Sequence, residues 1–481
     1  MSADRDHLVL FVNGRRREVR GADALASLSD FLRDRLGLVG TKIVCSEGDC
    51  GSCTVLCGRA CEGQLVYRPI DSCIQRMFQL DGTHVVSVEG IGTDGQLSSV
   101  QQSMIDCHGS QCGFCTPGFV VAMAGLLEER KTLDEDGLRY GLTGNLCRCT
   151  GYTPIIEAGL HLDSASAPRI DDLYPPETML AESARLAQTP FQIVARGDGW
   201  QRTVYSPVSL DDAVQHLAGD PQARLVAGAT DVGVQLNKRT IVPDSFVDLN
   251  RVQQLEGVDV RDGVVTAGAR ATWTELEAVF QTRAPQFGEM ISVFGSPQIR
   301  HTGTIGGNIA NASPIADSLP FLLVMESELE LYGPQGPRRV NINDFYRGYK
   351  QIDLRPGELI RAVRIPLPAI DDALGVYKVS RRRDLDIATF TAAIRLRCED
   401  TTIREAAVAL GAVGPTVLRA RQTERYLVGQ SPDEPTMRAA GKIAVGEIAP
   451  ITDVRGKSDF RYQLTRNVFL KFYHEQVAAH V

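Results

Sequence analysis

The chain has 481 residues, 43% of them hydrophobic and 23% charged, a composition typical of a globular protein with about three or four domains. The net charge of −8 and the lack of any long Lys/Arg block argue against nucleic acid as a partner. No apolar run reaches the roughly 18 to 20 residues of a membrane span, and the N-terminus lacks the pattern of a signal peptide. We therefore expect a cytoplasmic protein with no membrane partner.

The N-terminal residues predict a β-hairpin followed by a helix. Leu8–Val12 is apolar, and Asn13-Gly14 is a turn dipeptide that precedes a return strand at Glu18-Val19. Leucines recur at helical spacing over Leu25–Leu36, and Gly37 follows as a stop signal.

Cysteines are concentrated in one part of the chain. Eleven of the twelve lie between Cys45 and Cys149. In a reducing cytosol, clustered cysteines indicate a metal site rather than disulfides.

The first cysteines have the C-x4-C-x2-C…C spacing of plant-type [2Fe–2S] ferredoxins: Cys45, Cys50, Cys53 and Cys73. Gly48 and Gly51 would let the backbone approach a cluster without a Cβ clash. Zinc is the alternative, because C-x2-C also begins zinc sites. The x4 spacing, the glycines and the single distant fourth cysteine favour iron–sulfur. Ordinary packing roles are expected for Cys57, Cys61 and Cys107.

Residues 90–165 predict short helices with cysteine pairs between them. Ser98-x-x-Gln101 is a capping box, and further helix starts are expected at Thr116-Pro117, Thr132-x-x-Glu135 and Thr153-Pro154. The pairs between these helices are Cys112/Cys115 and Cys147/Cys149. Two such pairs can reach one metal site from both sides. Cys-x-Cys suits a two-iron cluster better than tetrahedral zinc, which stays open as an alternative.

Two segments carry a family resemblance, Gln111–Phe119 (QCGFCTPGF) and Gly144–Thr153 (GNLCRCTGYT). They strongly resemble the helical [2Fe–2S] domain of the xanthine oxidase family of molybdenum hydroxylases, and the matching motifs run in the family's order from about Val9 to Ile155. The resemblance implies that Cys112, Cys115, Cys147 and Cys149 hold the cluster nearest the molybdenum cofactor. It also places Gln111 at a position that hydrogen-bonds that cofactor; the alternative is a surface amide.

Two glycine-bearing segments follow, at Leu225–Gly233 and Thr302–Ser318. Neither is a G-x-G-x-x-G fingerprint, and turn glycines alone are more often structural than phosphate-binding. The resemblance identifies them as the two FAD loops of the family's flavoprotein domain. The first loop contributes Arg224, Leu225, Val226, Ala227, Gly228, Ala229, Thr230 and Asp231, and the second contributes Thr304, Gly307 and Asn308.

Further flavin contacts carried over from the family are Asp317 on the ribityl or adenosine side, Phe294 over the isoalloxazine ring, Ile360 and Lys378. Thr304 stands where many relatives carry Ser, and Asp231 where they often carry Glu. His301, next to the second loop, is expected to be an exposed or packed histidine.

The end of the chain resembles the C-terminal subdomain of the same flavoproteins. There, Arg381–Asp386 matches a loop that affects access of the electron acceptor; the alternative is a solvated charged turn. Phe345–Leu359 resembles a stretch that puts Tyr349 near the nicotinamide site, which favours NAD as acceptor over oxygen.

The expected fold is α+β and multidomain: a β-grasp ferredoxin-like domain (1–90), a four-helix [2Fe–2S] domain (91–165), a linker (166–200) rich in Ser, Pro and Asp, an α+β FAD-binding domain of two subdomains like that of PCMH and vanillyl-alcohol oxidase (201–370), and a C-terminal α+β subdomain (371–481). Some helical character is expected at residues 177–188 of the linker.

The implied function is that of the electron-transfer subunit of a xanthine dehydrogenase, acting in purine catabolism. Because no molybdopterin domain follows the flavin domain, we expect substrate hydroxylation to occur in a separate large subunit, within a heterotetramer. Electrons would pass from that molybdopterin cofactor through two [2Fe–2S] clusters to FAD and then to NAD. The alternatives are the equivalent subunit of an aldehyde, carbon monoxide or N-heterocycle hydroxylase, or a stand-alone iron–sulfur flavin reductase.

Overall fold

The computed structural model describes residues 5–92, 95–129, 133–163 and 167–478. The chain forms two compact units: residues 1–253 with 296–303, and residues 254–295 with 304–481. Each unit has its own sheets and core, consistent with the expected multidomain α+β class.

The first unit opens with a five-stranded sheet in the order β2-β1-β5-β3-β4. Its strands are β1 (Leu8–Val12), β2 (Arg15–Val19), β3 (Thr54–Cys61), β4 (Gln64–Asp71) and β5 (His84–Val86). The expected hairpin is confirmed, with Leu8 opposite Val19. The expected helix is shorter than the segment Leu25–Leu36 that the leucine spacing predicted. Ser27 accepts a hydrogen bond from the Asp30 N–H, so α1 begins at Leu28 (Leu28–Asp30) and continues as a π-helical turn (Phe31–Arg35).

Four helices follow the first sheet: α2 (Ser99–Asp106), α3 (Thr116–Glu129), α4 (Glu135–Gly141) and α5 (Thr153–Leu160). The Ser98/Gln101 capping box is confirmed, because each side chain accepts from the other residue's N–H. Thr132 lies outside the described residues. The cap of α4 is instead Asp134, which accepts from the Gly137 N–H at 2.7 Å. An apolar core of α2, α3 and α5 residues unites these helices with strand β3.

The predicted linker contains regular structure. Its described part forms α6 (Ile170–Leu173), α7 (Glu177–Leu186) and β6 (Phe191–Gly197). Although the segment is rich in Ser, Pro and Asp, three of its apolar side chains are buried and pack these elements against the first unit: Ile170, Met179 and Leu186. Helix α7 agrees with the helical character expected there.

The first unit continues with a four-stranded sheet in the order β6-β7-β9-β8. Its remaining elements are β7 (Trp200–Ser206), α8 (Leu210–Gly219), β8 (Arg224–Val226), α9 (Val232–Asn237) and β9 (Ser245–Asp248). Strand β8 pairs in parallel with β9, and Val226 is buried in the core shared with the first sheet.

The second unit begins with β10 (Val258–Arg261), β11 (Val264–Gly268), α10 (Trp273–Arg283) and α11 (Pro285–Ser292). The chain then returns to the first unit for residues 296–303, which contain α12 (Pro297–Arg300). It re-enters the second unit with α13 (Ile305–Asn311), α14 (Leu319–Val324), β12 (Glu328–Gly333) and β13 (Gly336–Asn341).

The second unit has three sheets, in the orders β10-β11-β16-β12-β13, β14-β15 and β17-β18-β19-β20. The remaining strands are β14 (Tyr346–Gly348), β15 (Gln351–Ile352), β16 (Leu359–Pro366), β17 (Asp372–Val379), β18 (Phe390–Glu399), β19 (Thr402–Gly411) and β20 (Leu418–Arg419). Helices α15 (Arg421–Leu427), α16 (Glu434–Val445) and α17 (Ser458–Phe472) close the C-terminal core.

Candidate functional site: two cysteine clusters and two flavin loops

The four cysteines of the ferredoxin-type motif lie in and beside the loop before β3. We call this set the first cysteine cluster: Cys45, Cys50, Cys53 and Cys73. The Cys45 thiol is in hydrogen-bond contact with Cys50 and Cys73, and Cys73 also contacts Cys53. Cys53 and Cys73 are buried, whereas Cys45 and Cys50 are half-buried. The sulfur atoms thus converge as the ferredoxin spacing predicts.

The hydrogen bonds among these cysteines favour the thiolate at Cys45, whereas they raise the pKa values of Cys50 and Cys73. Hydrogen bonds from Cys50 and Cys73 lower the pKa of Cys45, and the backbone N–H groups of Glu47 and Asp49 each donate to its Sγ at 3.4 Å. The thiolate is the metal-binding form of cysteine. Inward N–H groups of this kind stabilise the negative charge of a bound cluster.

The second cysteine cluster, Cys112, Cys115, Cys147 and Cys149, lies on loops beside α3 and α5. Cys115 contacts Cys147, and Cys112 contacts Cys149, so the four thiols meet as two pairs. Burial raises the pKa of Cys115 to about 12. Burial also opposes ionisation of Cys147, but hydrogen bonds from Thr150 bring its pKa below the usual value. Two cross-loop pairs suit a two-iron cluster, in which each iron takes two thiolates.

The second cluster reaches the surface. Cys112 and Cys149 are exposed, as are Gln111 and, at 49%, Phe114. The structure therefore places Gln111 beside an exposed edge of the second cysteine cluster.

Direct hydrogen bonds join the two cysteine loops. The Leu146 N–H donates to the Cys50 carbonyl at 3.0 Å, and the Asn145 side chain donates to the Gly51 carbonyl at 2.9 Å. Gly51 has φ +66°, and a Cβ there would lie 2.3 Å from the Gly144 carbonyl. Only glycine fits this approach of two backbones.

A buried amide completes this junction. Gln298, on α12, is fully buried and donates to Asn145 Oδ1 at 2.9 Å and to Thr54 Oγ1 at 3.2 Å. No local sequence pattern predicts the contact between Asn145 and Gln298, because the two partners lie 153 positions apart.

The first flavin loop belongs to the first unit. After β8, which contains Arg224, Leu225 and Val226, the chain turns through Ala229 at φ +60° into α9. The Ala227 carbonyl is held by the side chains of Gln79 (2.7 Å) and Asn250 (2.9 Å). Gly228 lies so close to the Thr302 carbonyl that a Cβ would be 1.9 Å from it. Asp231 accepts a hydrogen bond from the Gln235 side chain, and Thr230 lies between Ala229 and Asp231 in the turn.

The second flavin loop belongs to the second unit. Thr304 caps α13, because its hydroxyl accepts a hydrogen bond from the Gly307 N–H at 3.2 Å. Threonine thus provides the same capping hydroxyl as the serine that is more usual at this position. Asn308 Oδ1 accepts from Ser318 at 2.6 Å. Phe294 packs against Trp273, with ring centroids 4.9 Å apart, and Ile360 is buried in β16.

A buried ion pair lies in the same unit. Lys378 Nζ is 2.8 Å from Asp317 Oδ2 and also donates to the Val293 carbonyl at 2.9 Å. Burial raises the pKa of Asp317, and Lys378 opposes that rise. The structure thus brings together two residues predicted separately as flavin contacts. Tyr349, at the tip of the β14–β15 hairpin, is 62% exposed.

Cys57, Cys107 and His301 have the packing roles expected of them, whereas the expectation for Cys61 is wrong, because its side chain is exposed. Cys57 is buried within β3, and Cys61 is exposed at the end of that strand. The imidazole of His301 is only 8% exposed, and its Nδ1 donates to the Pro69 carbonyl at 2.8 Å. Among residues 5–92, 95–129, 133–163 and 167–478, no three His, Cys, Asp or Glu side chains form a site for a single metal ion. No helix in that same part of the chain is long and apolar enough to cross a membrane.

Four family models match the chain. They are described as a 2Fe-2S iron-sulfur cluster binding domain (residues 10–69), a [2Fe-2S] binding domain (87–160), an FAD binding domain in molybdopterin dehydrogenase (198–368) and a CO dehydrogenase flavoprotein C-terminal domain (375–476). The chain therefore has two [2Fe–2S]-binding domains and an FAD-binding domain, and the two cysteine clusters and the flavin loops supply fitting donors.

Known proteins are similar over much of the chain. Xanthine dehydrogenase 1 of Arabidopsis thaliana is 30% identical over 97% of this chain and 39% of its own length. Aldehyde oxidase 4 of Cavia porcellus is 29% identical over 97% of this chain and 39% of its own length. A solved chain of reconstituted CO dehydrogenase from Oligotropha carboxidovorans is 31% identical, with a TM-score of 0.54, over 57% of this chain and 97% of its own. The chain spans about two fifths of the length of these curated relatives.

Proposed function

Because the chain belongs to the xanthine oxidase family of molybdenum hydroxylases, we propose that it is the electron-transfer subunit of a xanthine dehydrogenase. In this proposal a partner oxidises hypoxanthine and xanthine to urate at a molybdopterin cofactor. Electrons then pass through the second and first cysteine clusters, each holding a [2Fe–2S] cluster, to FAD and finally to NAD. The assembly is a heterotetramer of small and large subunits in the cytoplasm.

The observation that carries the proposal is the hydrogen bond from the Leu146 N–H to the Cys50 carbonyl. Leu146 precedes Cys147, so one hydrogen bond joins the two cysteine clusters. Iron–sulfur clusters transfer single electrons, and FAD converts these into two-electron chemistry.

The direction of electron flow is supported by burial. Cys112 and Cys149 are exposed, so a redox centre in a partner could approach the second cluster. Cys53 and Cys73 are buried. The residue Gln111, beside the exposed edge, is proposed to hydrogen-bond the molybdenum cofactor.

The proposed flavin chemistry uses the two flavin loops. Arg224–Asp231, Thr304, Gly307, Asn308 and Asp317 would bind FAD, with Phe294, Ile360 and Lys378 as further contacts. The exposed Tyr349 would lie near the nicotinamide of NAD. When bound, FAD accepts single electrons and passes two of them as a hydride.

A second candidate differs only in substrate. The similarity to aldehyde oxidase and CO dehydrogenase supports the equivalent subunit of an aldehyde, carbon monoxide or N-heterocycle hydroxylase. A stand-alone iron–sulfur flavin reductase is the remaining alternative, and it would need no molybdenum partner.

The test is to purify the chain from its host with any bound partner and measure Fe, Mo and FAD together with xanthine-dependent NAD reduction. Molybdenum in a larger subunit and NADH formation would support the proposal. Activity on an aldehyde, on carbon monoxide or on an N-heterocycle alone would move the substrate to the second candidate. Full NADH-dependent reductase activity with no molybdenum partner would overturn the electron path.

Cysteine variants test the clusters separately. Cys147→Ser and Cys53→Ser should each remove half of the iron, because each breaks one ligand set. Cys107→Ser is the matched control, since Cys107 belongs to neither set, and it should keep all of the iron.

A further inference from the structure

A single amide on α9 contacts the loop of the first cysteine cluster. Asn237 Nδ2 donates to the carbonyl of Ser46 at 2.8 Å and to the carbonyl of Cys73 at 2.9 Å. Ser46 follows Cys45, and Cys73 is itself a predicted ligand. One side chain therefore holds both ends of the first cluster's ligand set.

The orientation of this amide is fixed from its other side. Arg76 Nη2 donates to Asn237 Oδ1 at 2.6 Å and to the Gly233 carbonyl at 3.2 Å. Because an arginine can only donate, the Asn237 oxygen must face Arg76 and its NH₂ group must face the cysteine loop.

The same helix begins at the first flavin loop. Helix α9 follows directly after Ala229–Asp231, and Gly233 lies so close to the Ile74 carbonyl that a Cβ would be 2.1 Å from it. The first flavin loop and the first cysteine cluster are thus joined by backbone contact at Gly233 and by side-chain hydrogen bonds at Asn237.

We propose that Asn237 is a positioning residue that fixes the first iron–sulfur cluster relative to the first flavin loop. It thereby sets the rate of electron transfer from that cluster to FAD. Arg76 orients it. This inference rests on the proposed function, in which one electron leaves the reduced first cluster and reaches FAD, with no bond formed or broken. The rate of electron transfer falls with the distance between the two redox centres, so a displaced cluster would reduce the flavin more slowly.

The test variant is Asn237→Leu, which keeps the approximate size of the side chain and removes both donors. The matched control is Lys238→Gln. Lys238 lies next along the chain and pairs with Glu47 of the same loop at 2.8 Å, but both partners are exposed. An exposed pair contributes little, so this control should behave as the wild type. Asn237→Ser keeps one donor and serves if the leucine variant loses iron.

The first readout is hydrogen exchange of the Glu47 and Asp49 amides in the full chain. These two N–H groups donate to Cys45 Sγ. Loss of both Asn237 hydrogen bonds should speed their exchange by about thirtyfold. Unchanged exchange in Asn237→Leu would overturn the proposal.

The second readout is flavin reduction after rapid photoreduction of the clusters, followed by absorbance, with the EPR spectrum of each cluster recorded in the same sample. We expect flavin reduction to be a few-fold slower in Asn237→Leu, with an altered spectrum of the first cluster alone. Wild-type rates in this variant would overturn the inference. If the wild type itself transferred no electron to FAD, the proposed function would fail, while hydrogen exchange would still test whether Asn237 fixes the loop.

Discussion

The Leu146 N–H donates to the Cys50 carbonyl at 3.0 Å, so the loops of the two cysteine clusters share a backbone hydrogen bond. Two glycines, Gly51 and Gly118, allow this approach. A Cβ at Gly51 would meet the Gly144 carbonyl, and a Cβ at Gly118 would lie 2.2 Å from the Gly51 carbonyl. The junction therefore depends on backbone atoms that no flexible side chain could replace.

Gly51→Ala should separate the two loops. The new Cβ would collide with the backbone of Gly144 at a position where φ is +66°. We expect a lower melting temperature and loss of iron, with a cost above the ~1 kcal/mol of the left-handed conformation alone.

Gly63→Ala is the control for that variant. Gly63 has φ +80° but no atom within 4 Å of its Cβ position. Gly63→Ala should lower the melting temperature through the left-handed conformation alone and should keep its iron. Equal iron content in the two variants would contradict the steric argument.

Asn145 and Gln298 should be energetically coupled. Gln298 donates to Asn145 Oδ1, and both side chains are buried. Each single variant removes this hydrogen bond, although Gln298 keeps its bond to Thr54 and Asn145 keeps its bond to Gly51. Asn145→Leu and Gln298→Leu should each lower stability by about 1 to 3 kcal/mol. The double variant should lose less than the sum, which a double-mutant cycle of melting data measures. Additive losses would show that the two amides act separately.

Local signals predicted the local structure. The Asn13-Gly14 turn and the Ser98/Gln101 capping box lie within a few residues of their partners, and both occur where the sequence indicated. The leucine pattern failed at Leu25, because the Ser27 cap, not periodicity, decides where α1 begins. Likewise, the Ser/Pro-rich composition of residues 166–200 indicated a linker, although burial of Ile170 and Met179 fixes two helices there.

The candidate site divides in the same way. The spacing of the cysteines can be read directly from the sequence, so both cysteine clusters could be predicted. The contacts that support them could not be. Arg76 and Asn237 lie 161 positions apart, and only the folded chain brings them together. The Lys378–Asp317 pair was predicted as two separate flavin contacts, and their mutual ion pair follows only from the structure.

His84 should make stability depend on pH. Burial lowers its pKa to about 4, from 6.5. Its Nε2 accepts from the Gly14 N–H at 3.0 Å, so Nδ1 carries the hydrogen and donates to Tyr67 at 2.7 Å. The unfolded chain therefore binds a proton that the folded chain excludes.

The stability contributed by neutral His84 is fully present above pH 6.5 and is lost as the pH falls toward 4, by about 3 kcal/mol in all. Melting curves between pH 7.5 and 5 should show a weaker pH dependence in His84→Gln than in the wild type. The exposed His474 provides the control, and His474→Gln should keep the wild-type slope. An unchanged slope in His84→Gln would contradict the assignment.

Lys378→Met should uncouple the buried pair in the second unit. It removes the cation that faces Asp317, and burial then raises the pKa of that carboxyl further. Leaving one buried charge without its partner typically costs about 3 to 5 kcal/mol, whereas replacing both partners by neutral groups costs less. We therefore expect Lys378→Met to lower the melting temperature more than the double variant Lys378→Met/Asp317→Asn does. FAD content after gel filtration should fall in both variants if these residues contact the flavin. Retention of FAD in the double variant would remove both residues from the flavin site and leave the pair a purely structural role.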